Sequence, residues 1–444
     1  MVAAEAANCT SAPCGLEPDR TRTRYRPEVD IEDSPEEAAF RLEARSWLTE
    51  HAPAKGSAGD FSEGFFDPGA DLAWLMARNA EWQRTLWDGG WAGISYPKEW
   101  YGRGGTLGQE IIFAEESARF GVITGAFAVS HSMVGPAILE LGTDEQRHRF
   151  IPATLCGDEM WCQLFSEPGA GSDLAGLSTR AVRDGDQWIV NGQKVWTSNA
   201  DTSHYGILLA RTDPDAPKHR GITYFLVDMA TPGIEVRPLR QMTGESHFSE
   251  VFLTDVAVPT SAVLGGPDAV GQGWRAALHT LANERAMIGS NGSMADVAPV
   301  VALARRVGRL EDPVVRQELA AAHTRMQILT FLGYRARTAI SHGRAPGPET
   351  SVLKLAFADH FKRLSSLAKS IQGASGMLDD DGTAGSATLT WRLLFAPSTG
   401  IAGGTDQVQR SIIGERVLGL PREDRPSPTP AGRPEDRLPV SADR

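Results

Sequence analysis

The stretch from Trp161 to Ala200, WCQLFSEPGAGSDLAGLSTRAVRDGDQWIVNGQKVWTSNA, constrains the fold of this chain more than any other. It joins a glycine-rich polar loop to strand-like runs that end in a tryptophan and two hydroxyls. In the loop Glu167-Pro168-Gly169-Ala170-Gly171-Ser172-Asp173, a proline starts a turn, two glycines let backbone N–H groups approach an anion, and Ser172 adds a hydroxyl donor. Such a loop can hold a pyrophosphate. Trp188-Ile189-Val190 and Gln193-Lys194-Val195-Trp196 flank Asn191-Gly192, the dipeptide favoured in tight type I′ turns, so the spacing predicts a β-hairpin that delivers Trp196 and Ser198 to a sheet.

SEPGAGSD followed by NGQKVWTSNA resembles the paired signature of the acyl-CoA dehydrogenases, flavoenzymes that oxidise thioesters between their α and β carbons. Residues 35 to 420 follow that family's order of elements. The resemblance implies an α+β architecture: an N-terminal helical domain, a middle antiparallel β-domain and a C-terminal helical bundle.

The pattern of the chain agrees. With 444 residues, 41% of them hydrophobic, it can fill two or three domain cores. Helical spacing runs through residues 34–157, as in Phe40, Leu42, Trp47 and Leu48, and is broken by the loop Tyr101-Gly102-Arg103-Gly104-Gly105. Over 158–268 the texture changes to short β-rich runs: Tyr205 to Ala210, Ile222 to Val227, Ile234 to Pro238 and Glu250 to Leu253. Over 269–421 helical segments return, near 274–308, 313–342, 350–376 and 405–419. Residues 1–33 and 422–444, rich in Pro, Arg and Asp, read as disordered tails.

A net charge of −12 argues against nucleic acid or an anionic membrane as the main partner. No apolar run is long enough to span a membrane and residues 1–30 hold no signal-like segment, so a cytoplasmic protein is expected. Cys9, Cys14, Cys156 and Cys162 form no CxxC pair, and His131, His204 and His247 form no metal spacing; no metal site is expected.

Many members of the family carry the catalytic glutamate just before the Gly-Thr of a C-terminal motif. The matching stretch here, Ile401-Ala402-Gly403-Gly404-Thr405-Asp406-Gln407, has Gly403 at that position, and glycine cannot take a proton. A minority branch, including isovaleryl-type enzymes, supplies the base from the first helix of the bundle, immediately before an arginine. The match is Asn283-Glu284-Arg285. At about 100° per residue, Trp274, Ala277, Leu281, Glu284 and Ile288 share one arc, which places Glu284 inside an apolar stripe. A carboxylate there needs a reason. Partial desolvation, which raises a carboxylate's proton affinity toward that of a useful general base, is one; an ion pair across the bundle is the structural alternative.

The resemblance implies further roles. Glu284 accepts the α-proton, with Arg285 a supporting cation beside it. The backbone N–H of Gly403, with a ribityl hydroxyl of FAD, meets the oxyanion. Gln163, Phe165 and Ser166 contact the isoalloxazine, Ser172 lies at the polar end of the loop, Trp196 and Ser198 cover the ring, and Thr405 with Gln407 reach the cofactor. Thr405 also has the position of a helix cap, and Asp406 is a weaker rival to Glu284 as base.

Two departures bear on assembly. The family's Arg-x-x-Phe-Gly appears as Arg305-Arg306-Val307-Gly308, and its Gly-Gly-x-Gly as Gly373-Ala374-Ser375-Gly376. Contacts to FAD across a subunit boundary therefore differ, and bacterial relatives acting on steroid or other bulky thioesters pair two unlike chains. The expected partners are an acyl-CoA or acyl-carrier-protein thioester, an electron-transfer flavoprotein and a second subunit, like or unlike. A flavin oxidase or monooxygenase on the same scaffold, or a non-catalytic subunit of a mixed oligomer, are the alternatives.

Overall fold

The computed structural model describes residues 33–62, 71–123, 125–289, 296–341, 347, 350–378 and 385–422, with backbone alone for 285–289 and 340–341. Apart from Asp33 and Arg422, the two tails lie outside the described residues.

The N-terminal part is helical: α1 (Pro35–His51), α2 (Leu72–Asp88), α3 (Leu107–Ser117), α4 (Gly135–Leu141) and α5 (Asp144–Leu155). Helix α1 starts where the sequence can cap it. The Ser34 hydroxyl accepts from the Glu37 N–H while the Glu37 carboxylate accepts from the Ser34 N–H, and Pro35 follows at a position that needs no donor. Phe40, Ala44 and Leu48, one turn apart, are then buried against an aromatic core that includes Trp82, Trp91 and Phe113. Asp33 ties this layer to the C-terminal helices by pairing with Arg41 at 2.5 Å and with Arg337 at 2.5 Å.

Seven strands follow: β1 (Trp161–Leu164), β2 (Arg180–Asp184), β3 (Gln187–Ser198), β4 (Tyr205–Arg211), β5 (Ile222–Asp228), β6 (Ile234–Leu239) and β7 (Phe248–Pro259). They form one sheet in the order β1-β4-β2-β3-β7-β6, with β5 also on β4. Most pairs are antiparallel, but β1 runs parallel to β4, and β2 touches β4 in parallel at Arg180 and Arg211. The sheet is thus mixed along β4.

The hairpin expected at Asn191-Gly192 does not form. Strand β3 runs straight through the dipeptide and pairs with β7 on both sides of a bulge between Val190 and Gly192. A type I′ turn needs positive φ at both central residues, and neither Asn191 nor Gly192 has it. Tertiary bonds hold the strand extended instead: the Asn191 amide donates to Asp255 Oδ1 at 3.0 Å and its oxygen accepts from the Asp255 N–H at 2.9 Å. Gly192 is glycine because a Cβ there would lie 2.8 Å from Thr179 Cα. The turn is made earlier, between Asp184 and Gln187, where Gly185 takes φ +62°.

The C-terminal part comprises α6 (Gly273–Gly289), α7 (Ala298–Arg306), α8 (Pro313–Ser341), α9 (Thr350–Gln372), α10 (Ser386–Phe395) and α11 (Asp406–Ile412). The helical segment expected over 274–308 is two helices. Helix α6 docks on β5 at close range: a Cβ on Gly273 would meet the Thr223 carbonyl carbon and Tyr224 N at 2.6 Å. Tyr224, fully buried, then bonds Thr280 Oγ1 at 3.2 Å and meets Phe165 edge-on with ring centroids 5.8 Å apart. This fixes the helix carrying Glu284 relative to the start of the glycine-rich loop.

Candidate active site

The two halves of the signature are joined by a buried ion pair. Glu167, the first residue of the loop, accepts from Lys194 Nζ at 2.8 Å, from the Thr179 N–H at 2.9 Å, and from the Ser178 N–H and hydroxyl at 2.6 and 2.7 Å. Lys194 also donates to the Phe165 carbonyl at 3.1 Å and is wholly buried. Burial pushes the Glu167 carboxyl up, but Lys194 and these donors overcome it and hold the group down at about 2. The loop SEPGAGSD and the strand NGQKVW must therefore keep each other's spacing, because each buries a charge whose counter-ion the other supplies.

The rest of the loop is open. A Cβ at Gly169 or Gly171 would meet nothing within 4 Å, and neither has positive φ. Neither turn geometry nor packing within the chain asks for glycine there. Among the described residues, none accepts from the N–H groups of Gly171 or Ser172. Free donors on an uncrowded backbone suit a pyrophosphate.

Beyond Lys194 strand β3 bulges again. Lys194 and Val195 are both buried, the alternation slips, and Trp196 takes φ +61° with its indole 61% exposed, edge-on to Phe248. An aromatic residue in the left-handed region costs about 1–2 kcal/mol. A strained, outward-facing tryptophan is not core packing, and such strain collects at functional sites. Ser198 is half-buried at the strand end. Gln163 is on β1, Phe165 is buried, and the Ser166 carbonyl accepts from the Val195 N–H at 2.9 Å. Gln163, Phe165, Ser166, Trp196 and Ser198 are thus assembled on β1, β3 and the loop between β1 and β2, and their mix of apolar faces, amide and hydroxyls fits an isoalloxazine.

The second cluster lies on α6, α9 and the loop before α11. Gly403 has φ +65° and Gly404 φ +89°. The carbonyl of Gly403 accepts from Gln409 Nε2 at 2.8 Å, and that of Gly404 from Lys354 Nζ at 2.9 Å. Among the described residues, none accepts from the Gly403 N–H, which leaves that donor for an oxyanion. Thr405 caps α11 by accepting from the Val408 N–H at 3.2 Å, and Gln407 is exposed two residues on.

Asp406 is committed elsewhere. It pairs with Lys362 at 2.8 Å and with Lys354 at 3.4 Å. Burial raises its carboxyl, but the two lysines outweigh that and hold it below the ordinary range, which unfits it as a base. Glu284, half-buried on α6, acts electrostatically on the Lys354 ammonium. Of the apolar stripe expected around it, Ala277 is buried and Trp274 and Leu281 are half-buried, while the Ile288 side chain lies outside the described residues. The Arg285 side chain lies outside the described residues.

Sequence reasoning missed Lys354, although the signal that drew attention to Glu284 was there. Lys354 sits in the stripe of α9 made by Phe357, Phe361, Leu364, Ala368 and Ile371, and it too is a charge on a buried face. Among the described residues, no three His, Cys, Asp or Glu gather as a metal ion would need, and no helix is long and apolar enough to cross a membrane.

Known proteins resemble this chain in sequence and fold. The N-terminal, middle and C-terminal domain models of acyl-CoA dehydrogenase match residues 34–158, 162–256 and 271–418. Acyl-CoA dehydrogenase IpdE1 of Mycobacterium tuberculosis is 37% identical over 397 residues, covering 86% of this chain and 98% of that one. Acyl-CoA dehydrogenase FadE34 of the same organism is 43% identical over 323 residues, 72% of this chain, which spans only 44% of that longer relative. The solved structure of the Tcur3481-Tcur3483 steroid ACAD superposes with a TM-score of 0.75 at 28% identity, covering 89% of this chain and 100% of that one. With three matched domain models in order and a full-length relative at this identity, the chain belongs to the acyl-CoA dehydrogenase family.

Proposed function

We propose that the chain oxidises an acyl-CoA thioester between its α and β carbons with FAD, and that Glu284 accepts the α-proton. The observation that carries this reading is the second cluster: Glu284 on α6 acts electrostatically on Lys354, and Lys354 holds the loop in which Gly403 replaces the usual glutamate.

The chemistry follows from these residues. The Gly403 N–H donates to the thioester oxygen, drawing electrons from the α-carbon. Glu284 takes the α-proton, and the electron pair of the broken C–H bond moves toward the carbonyl while the donor meets the growing negative charge. Bound FAD supplies the acceptor for the hydride that leaves the β-carbon. Gln163, Phe165, Ser166, Trp196 and Ser198 would hold its ring system, the loop with Ser172 its pyrophosphate, and Thr405 and Gln407 would reach it from α11. Tyr224 and Thr280 keep α6 in register with Phe165, so base and ring-binding surface share one frame.

The name of the steroid ACAD relative makes bulky steroid-derived acyl-CoA thioesters the first substrates to try, ahead of carrier-protein thioesters. An electron-transfer flavoprotein is the electron acceptor in this reading. The exposed Ile328 and Phe331 on α8 fit assembly with a second chain, which light scattering measures.

General-base catalysis is worth about 100- to 10,000-fold. Glu284→Gln is therefore expected to keep fold and flavin while single-turnover flavin reduction falls by at least about 100-fold. Reduction at the parental rate overturns the assignment of the base. A colourless parent that stays colourless with added FAD points to a non-catalytic subunit, and rapid reoxidation in air to an oxidase.

A further inference from the structure

Lys354 is an unexpected charge in the bundle: an ammonium with 0% exposure at the N-terminal end of the apolar stripe of α9. Such a group is tolerated only when it is tied down. Its ties are specific. Nζ donates to the Gly404 carbonyl at 2.9 Å and approaches Asp406 Oδ1 at 3.4 Å, while the other oxygen of Asp406 accepts from Lys362 at 2.8 Å. Two lysines of α9 thus hold one aspartate at the start of α11, and the glycine loop is strung between them. A Cβ on Gly400 would lie 2.8 Å from Lys362 Nζ, so this clamp closes tightly on the loop at its other end too.

We propose that Lys354 is a positioning residue of the reaction, fixing the Gly403-Gly404 backbone that receives the thioester oxygen and keeping a positive charge that acts on Glu284. The proposal rests on the reading of Glu284 as base. The charged groups acting on Lys354 come from three helices: Asp406 on α11, Lys362 on α9 and Glu284 on α6. Asp406 is shared by two lysines, and Glu284 is a second carboxylate that acts on Lys354. When the α-proton moves to Glu284, the carboxylate becomes neutral and negative charge appears on the thioester oxygen at the Gly403 N–H. Charge moves from one neighbour of Lys354 to another, and the same ammonium serves before and after the transfer. Burial keeps water from screening it.

The test uses the FAD-loaded protein and acetoacetyl-CoA, a thioester whose α-proton is acidic enough to be lost without hydride transfer. Its enolate is followed by absorbance against pH in the parent and in Lys354→Met, Lys354→Arg, Asp406→Asn and Glu284→Gln. Removing a neighbouring cation disfavours the anion, so Lys354→Met is expected to raise the enolisation midpoint by about one pH unit, with Lys354→Arg nearer the parent. Asp406→Asn removes the competing carboxylate and is expected to lower the midpoint. This opposite sign separates an electrostatic role from loosened packing, and Asp406→Asn decides the matter alone if Lys354→Met does not fold. An unmoved midpoint in Lys354→Met, or a shift of Asp406→Asn upward or not at all, overturns the inference. Glu284→Gln that reduces its flavin at the parental rate brings down the reading of the base instead, so the two failures are distinguishable.

Discussion

Two buried lysines, one in the sheet and one in the bundle, hold the two glycine loops of this protein in the same way. Lys194 bonds a main-chain carbonyl, that of Phe165, and a carboxylate, that of Glu167; Lys354 bonds the carbonyl of Gly404 and the carboxylate of Asp406. The difference lies in what is left over. Around Lys194 the network is closed, because Glu167 takes three further donors from Ser178 and Thr179 and every charge is matched inside the sheet. Around Lys354 it is open: Asp406 is shared with Lys362, itself 38% exposed, and Glu284 also acts electrostatically on Lys354. A closed buried pair gives geometry, whereas a shared one, in the proposed reaction, also gives a field for the reacting group.

The largest effect on stability is expected from Lys194→Met, which strands Glu167 as an uncompensated buried charge and costs about 3–5 kcal/mol in chemical denaturation. Adding Glu167→Gln is expected to recover part of that loss. A double variant no better than the single one means the pair is not the unit that holds the loop. By contrast, Glu284→Gln removes the proposed base and is expected to spare the denaturation midpoint while the rate falls.

Acid titration sharpens the same contrast. Glu167 is held at about 2 against an ordinary 4.5, so it binds a proton more readily unfolded than folded. Its contribution to stability is complete above pH 4.5 and is lost as the pH falls through that range toward 2. In Glu167→Gln the acid dependence of unfolding in that window is expected to flatten; an unchanged slope refutes the assignment.

The smallest effects on the fold are expected where the chain packs against nothing. Gly169→Ala, Gly171→Ala and Trp196→Ala are expected to change stability by about 0.5 kcal/mol or less, because the two glycines meet no neighbour and the indole faces outward. All three are expected to weaken FAD retention, read by equilibrium dialysis. Retention at the parental level in all three removes the loop and Trp196 from the cofactor site.

Much of this was legible in the chain. The alternation of helical and strand periods marks three regions, and the glycine-rich loop and Glu284 stand out because each breaks its local pattern in a way only function or pairing explains. Lys354 was as legible as Glu284, by the same rule, since a lysine in the stripe of Phe357 and Phe361 demands a partner. The turn at Asn191-Gly192 misled for a physical reason. Propensity for a two-residue turn is a local energy of small size, and here it was outweighed by the Asp255 bonds and by the pairing of β3 with β7 on both sides.

By itself the sequence determined which residues could not be ordinary: a carboxylate on an apolar face, a glycine where a glutamate is usual, and a loop of glycines and hydroxyls. It did so because burial and backbone freedom are properties of single residues in their local period. Only the tertiary structure decided which of them meet. The Glu167–Lys194 pair, the bulge that turns Trp196 outward and the Lys354–Asp406–Lys362 clamp each join segments far apart in the chain, and the energy of a buried charge depends on the distance to its partner, which no local pattern contains.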